Sequence, residues 1–274
     1  MDALRDFSEH GYQTEAQLQD WLLRLHTALE REIPTDAQDR RELAMALETV
    51  FKRDVEGSGL QKRVPGVGRF TIDRIAPELR AELDRRIFAG VDLIKLNRAA
   101  AVQKTLQRFS GWTSSVPPAG LSKPKLRKAA QEILKPVAQL KFERRRVAID
   151  QGHKLGAAVA HTVAMGQGAL AGIWHDRGAT DHGYDARPEH LARSGTMFLI
   201  RDSWALKEGL IKKGGLQYYD EVEPVAHLVY CSCWMEFVTS PRALPPEILT
   251  AKGREWLEGG QVLQRADQRP TART

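Results

Sequence analysis

The stretch VAIDQGHKLGAAVAHTVAMGQGAL, residues 147–170, decides the fold. Val147, Leu155, Val159 and Val163 recur at helical spacing, which predicts a helix running toward Leu170. Beyond it the composition changes. Residues 166–195 are rich in Gly, Asp and His, and Met197 to Ile200 and Leu228 to Val238 are β-like. The chain is expected to be α+β, with mainly helical N-terminal two thirds and a small mixed α/β C-terminal lobe.

Upstream, Thr14-Glu15-Ala16-Gln17 has capping-box spacing and is followed by Leu18, Leu22, Leu25 and Leu29 up to Pro34. Thr35-Asp36-Ala37-Gln38 opens a second helix through Leu43, Leu47, Val50 and Phe51, stopped by Gly57. Together they predict a helical hairpin whose apolar stripes serve core packing. Residues 57–70 carry Gly57, Gly59, Pro65, Gly66 and Gly68 beside Lys62, Arg63 and Arg69. They read as a loop, because a phosphate-binding loop ends in Gly-Lys-Ser/Thr at a helix start after an apolar strand, and both are missing. Pro77 is placed in the first turn of a long helix through Leu79, Leu83, Ile87, Leu93, Leu96, Val102 and Leu106, with Gly90 as a weak point. Trp112 to Pro124 reads as a linker, and the helix from Lys125 is expected to break or kink near Pro136.

At 274 residues, 42% hydrophobic and 28% charged, the chain can bury a core as one extended domain or two compact ones. Its longest apolar run, near Leu155 to Met165, is interrupted by Gly156 and His161, so no membrane partner is expected. The acidic start Met1-Asp2-Ala3-Leu4-Arg5-Asp6 lacks signal-peptide character, which leads to the expectation of a cytosolic chain. The net charge of +6 is unevenly spread. Residues 95–154 hold fourteen basic and three acidic side chains, net +11, and the remainder is −5. Lys123, Lys125, Arg127, Lys128, Lys141, Arg144, Arg145 and Arg146 are therefore candidates for facing DNA, where each phosphate contact releases counterions. A solvated helix face is the alternative, since three successive arginines point around three sides of a helix and cannot all meet one groove.

Six of the eight histidines lie between His153 and His227, and the two cysteines, Cys231 and Cys233, follow. On a strand, positions i and i+2 share a face, so both sulfurs can converge on one ion. His190, or His182 with Asp185, would complete a zinc site. Two buried free thiols packing as small hydrophobes are the competing reading, and a disulfide between such near neighbours would be strained. The same loop, with His175, Asp176, Asp181, His182, Asp185 and His190, also permits a metal-dependent nuclease or hydrolase acting on nucleic acid. No HExxH, GxSxG or paired-carboxylate motif defines a reaction. A DNA-binding host protein is a third reading of the basic segment.

The order of residues is suggestive in its own right. Val147-Ala148-Ile149-Asp150-Gln151 and Lys154-Leu155 lead through a helix to Gly172-Ile173-Trp174. Asp185-Ala186-Arg187-Pro188-Glu189-His190, Gly195 and Cys231-Ser232-Cys233 follow. This resembles the phage Mu F-like head morphogenesis family, the minor head proteins of tailed bacteriophages. There an Ala-Arg-Asp-Gln-like helix precedes a Trp-containing strand, an Asp-x-Arg-x-x-x-His turn, a Leu-Asp-Gly and a closing Asn-Cys-Arg-Cys. The resemblance covers residues 147–238. It places Trp174, Asp185, Arg187, His190, Gly195, Cys231 and Cys233 on family positions, with Asp185 and Arg187 as an internal ion pair or turn contact. Ser194, Tyr230 and Ser232 depart from it, and residues 175–183 are an insertion.

The resemblance implies a non-enzymatic virion structural protein, present in the host cytoplasm during assembly. Its expected partners are the portal or other head and neck proteins and packaged double-stranded DNA, and its expected step is DNA packaging or ejection. The expected organisation is a helical domain over 1–111, a basic linker and helix over 112–146, a Mu F-like α/β lobe over 147–240 and an extended tail over 241–274.

Overall fold

The computed structural model describes residues 14–57, 59–115, 123–176 and 187–258. Its helices are α1 (Glu15–Glu32), α2 (Asp36–Phe51), α3 (Gly59–Arg63), α4 (Arg69–Thr113), α5 (Lys123–Ala138), α6 (Leu140–Gly166), α7 (Pro188–Ala192), α8 (Trp204–Lys207) and α9 (Ala251–Glu258). The strands are β1 (Ala171–His175), β2 (Met197–Leu199), β3 (Gln217–Tyr218) and β4 (Trp234–Val238). A mainly helical N-terminal part and a small mixed sheet near the C-terminus are thus present, as the residue patterns indicate.

The chain forms two compact units, one of residues 1–51 and 80–155, the other of 52–79 and 156–274. This division cuts across the expected domains, because residues 52–79, including the first turns of α4, group with the C-terminal part of the chain. Leu60, Val64, Val67 and Ile72 are buried, α3 packs on β4, and Arg69 donates to the Val55 carbonyl at 3.0 Å. The presumed loop is accordingly a packed turn and helix, and α4 begins at Arg69, two turns before Pro77.

In the helical unit both caps form as the spacing requires. Gln17 N donates to Thr14 Oγ1 at 3.3 Å, and Gln38 N to Thr35 Oγ1 at 3.3 Å. Trp21, Leu25 and Leu29 of α1 close on Phe109 of α4 and on Ala130 and Ile133 of α5. Along α4 the buried series continues through Val91, Ile94, Ala101, Thr105 and Phe109, while Leu96 is 62% exposed and Leu93 38%. The expected stripe of Leu93 and Leu96 was out of phase, because an apolar residue in a long helix carries no mark of which side meets the core. Gly90 is no mere weak point: a Cβ there would lie 2.6 Å from Leu43 Cδ2 and 3.3 Å from Gln151 Cγ. It lets α2 and α6 approach α4.

The same unit ties up part of the basic segment. Asp39, 1% exposed, receives Arg144 Nε at 2.6 Å and Arg98 at 2.5 Å, and Asp36 receives Lys95 at 3.0 Å and Arg98 at 2.9 Å. Arg146 pairs with Glu143, and Lys154 with Asp150. Burying a carboxylate without such partners would cost several kcal/mol, on the order of the penalty for an unpaired ion. Of the basic residues expected to face DNA, Arg144 and Arg146 are engaged in ion pairs within the chain. Lys125, Arg127, Lys128, Lys141 and Arg145 are exposed, and the side chain of Lys123 lies outside the described residues. The helix predicted from Lys125 breaks at Gln139, between α5 and α6.

The second unit is built on a sheet of order β3-β2-β1-β4, with β1 antiparallel to β2 and β4 and β2 parallel to β3. Ala171 pairs with Leu199 and Val238, and Trp174 with Met235. One face carries Ala171, Leu199 and Val238 into a core with Leu210, Ile211, Leu244, Ile248 and Leu249. Trp174, Phe198, Met235 and Phe237 are also buried. Gly172 is required by this packing, since a Cβ would fall 2.7 Å from Met235 Cγ. The expected extended tail is folded through residue 258. Thr250 N donates to Leu210 O at 3.0 Å, and Trp256 packs 6.0 Å from Trp204. Pro241 and Pro246 open short 3-10 turns at 241–243 and 246–248. Residues 259–274 lie outside the described residues.

The close approach at Gly90 sets a test. Gly90→Val should destabilise the helical unit by about 1–3 kcal/mol through overpacking. Gly111→Ala, with open space around it, should be neutral or stabilising by about 0.5–1 kcal/mol. Denaturant midpoints of the two variants measure the difference.

Candidate metal centre

Three elements deliver four side chains to one point. α7 starts on Pro188, whose fixed φ and missing N–H suit a first helical position. This short helix presents His190. The second element is the segment entering β4. Leu228 to Trp234 was expected to be strand around both cysteines, but β4 begins only at Trp234. Cys231 and Cys233 lie in irregular chain behind a turn in which Ala226 has φ 60° and Tyr230 φ 65°. Such angles are uncommon for residues other than glycine, and they interrupt the ladder. The third element is β1, which brings Trp174 beside the imidazole, with ring centroids 5.4 Å apart in an edge-on arrangement.

His190 Nδ1 stands 3.5 Å from Cys231 Sγ and 3.5 Å from Cys233 Sγ. The three ligand atoms lie within 4.8 Å of one another. His190 is 3% exposed, Cys231 2% and Cys233 7%, and both cysteines are free thiols. This cluster could hold a metal ion, and among the described residues it is the one group of three or more His, Cys, Asp or Glu ligands so placed. On the far side of the ring, His190 Nε2 is 3.9 Å from Glu223 Oε2.

The two thiols are shifted in opposite directions by their contact. The Cys233 side chain, hydrogen-bonding to Cys231, lowers the Cys231 thiol to about 5 against the opposing effect of burial. The backbone amides of Cys233 and Ala226 act in the same direction, as does the nearby His190. Cys233 is raised in return, by the same sulfur contact and by burial, while the Trp174 indole favours its thiolate. Trp174 Nε1 is buried without a formed hydrogen bond, so it is available to a sulfur that becomes charged.

Arg187 donates to the Val229 carbonyl at 2.9 Å, fastening α7 to the cysteine segment. Gly195, at φ +77°, donates its N–H to the Trp174 carbonyl at 2.8 Å and returns the chain toward β2. Trp174, Arg187, His190, Gly195, Cys231 and Cys233 are therefore parts of one local construction. His182 and Asp185, expected as ligand and as turn partner, lie outside the described residues, as does Asp181. His175 does not join the cluster. It bonds Glu236 Oε2 at 3.0 Å and stacks on Trp234 at 4.2 Å. His161 stacks on Tyr219, and burial lowers its pKa. Glu223 was missed, having no motif or spacing that marks it; it directly precedes the turn in which Ala226 has φ 60°.

Comparison of the chain with family models, with curated proteins and with solved structures gave no match. None of the described helices is long and apolar enough to cross a membrane.

The opposite shifts are measurable. Thiolate ultraviolet absorbance of metal-free protein should show a one-proton step centred well below the free-thiol range, at about 5, with the second thiol resisting ionisation. Cys231→Ser should abolish the low step. A pair that stays fully protonated up to alkaline pH would contradict the described coupling.

Proposed function

We propose that the chain is a minor head protein of a tailed phage, of the Mu F-like head morphogenesis kind, with a structural and not a catalytic role. Its place is the virion, beside the portal or the inner face of the head, and the host cytoplasm during assembly. Its partners are the portal or other head and neck proteins and packaged double-stranded DNA, and its step is head assembly with DNA packaging or ejection.

One observation carries this reading. Residues that bear the family resemblance, scattered from Trp174 to Cys233, converge on a single buried point. The departure at Tyr230 supports the register of the resemblance. Its φ of 65° is a conformation that Asn, the family's residue there, tolerates better than most. The exposed Lys125, Arg127, Lys128, Lys141 and Arg145 supply charge suited to DNA.

Zinc is the ion the cluster best suits. Zn–S and Zn–N bonds of about 2.3 and 2.05 Å at tetrahedral angles separate sulfur and nitrogen by about 3.6 Å. The separations here are 3.5 Å. Two thiolates neutralise a divalent ion, and the ion then staples α7 to the β4 approach.

Purified protein should carry about one zinc per chain by elemental analysis, and a Cys231→Ser, Cys233→Ser double variant should lose it together with several kcal/mol of stability, on the order expected for a structural metal. Unaltered melting and metal content in the variant would refute the staple. For the role itself, particles assembled without the protein should show altered heads, DNA content or ejection by cryo-EM. Normal infectious particles would refute the assignment, and cleavage of duplex or single-stranded DNA with added divalent metal would favour the nuclease reading. DNA affinity should fall with salt at a slope of about 0.9 per phosphate contact. Arg127→Glu with Lys128→Glu should flatten that slope.

A further inference from the structure

We propose that Glu223 is the positioning carboxylate of the metal site, holding the His190 ring through Nε2–H so that the Nδ1 lone pair faces the two sulfurs. This rests on the reading of His190, Cys231 and Cys233 as metal ligands.

A neutral imidazole has one nitrogen that donates and one that accepts. Ligation through Nδ1, the atom 3.5 Å from both sulfurs, leaves the proton on Nε2. Nε2 is buried and has no hydrogen-bond partner within reach, a costly state for a donor. Glu223 Oε2, 3.9 Å away, is the acceptor in place. The Glu223 side chain is 33% exposed and has no other partner among the described residues, so it is free to turn the remaining distance into a hydrogen bond. An acceptor behind a ligating histidine fixes its tautomer and raises the basicity of the nitrogen that binds the metal.

The chain makes this arrangement economical. Glu223 directly precedes Pro224, whose carbonyl accepts from the His227 amide at 3.3 Å in the turn that leads toward Cys231. One turn thus sets Glu223 behind the His190 ring and leads into the cysteine segment. On binding a divalent ion, the thiol protons leave to solvent, while the Nε2 proton stays between the ring and Glu223. Two thiolates and the ion sum to zero, and the Glu223 charge is left to polarise the imidazole.

The test uses the full chain and cobalt(II) as the probe ion, with zinc as competitor and a chromophoric chelator to report affinity. Glu223→Ala should weaken binding roughly tenfold to a hundredfold while leaving the thiolate-to-cobalt charge-transfer bands in place. In zinc-loaded protein, the His190 Nε2–H signal in long-range proton–nitrogen correlation spectra should exchange faster in that variant. Glu223→Gln, which keeps an accepting oxygen, should recover part of both effects. Wild-type affinity and an unchanged Nε2–H in Glu223→Ala would overturn the positioning role and leave the metal site standing. A wild-type chain that shows no thiolate charge transfer with cobalt would overturn the ligand reading, and this proposal with it.

Discussion

The convergence of His190 with Cys231 and Cys233 is the constraint on which the second unit's architecture turns. A helix of five residues has no stability of its own, and a segment with two positive-φ residues ahead of β4 pays for its shape in backbone strain. Each is held by the other. The imidazole sits between the sulfurs and Glu223, Trp174 packs against its edge, and Arg187 bonds across to Val229. The sheet fixes the frame, because Trp174 and Trp234 lie on adjacent antiparallel strands in which Trp174 pairs with Met235 and Gly172 with Phe237.

The helical unit solves a different problem, that of excess positive charge. Asp36 and Asp39, at the start of α2, gather Lys95, Arg98 and Arg144 from two other helices. What stays free of these pairs is a smaller set of exposed basic residues on α5 and at the start of α6. Composition overstates the surface available to a polyanion, because it counts charges without the carboxylates that meet them. A partner that binds by charge would thus meet Lys125, Arg127 and Lys128 and not the arginine triplet as a whole.

Much of the fold was legible where a local rule suffices. The capping boxes at Thr14 and Thr35, the stops at Pro34 and Gly57, the break after Pro136 and the strand at Met197 all follow from spacing and backbone chemistry. The pairing of His190 with the cysteines was one of two readings that the sequence left open, the other being His182 with Asp185. Features that depend on tertiary choice were not legible. Leu93 and Leu96 look as apolar as Val91 and Ile94, yet only the latter pair is buried. The glycine-rich residues 57–68 read as loop, although Leu60 and Val64 are among the most buried residues of the second unit. Cys231 and Cys233 sit in β-like sequence but off the strand, and Glu223 reaches His190 only through a turn that no local signal announces.

Zinc-edge X-ray absorption on the purified full chain tests the central claim most directly. The account predicts two sulfur scatterers at about 2.3 Å and imidazole nitrogen at about 2.05 Å, with the sulfur shell lost when both cysteines are replaced. A first shell of oxygen and nitrogen alone, or protein free of bound metal after purification without chelators, would contradict it.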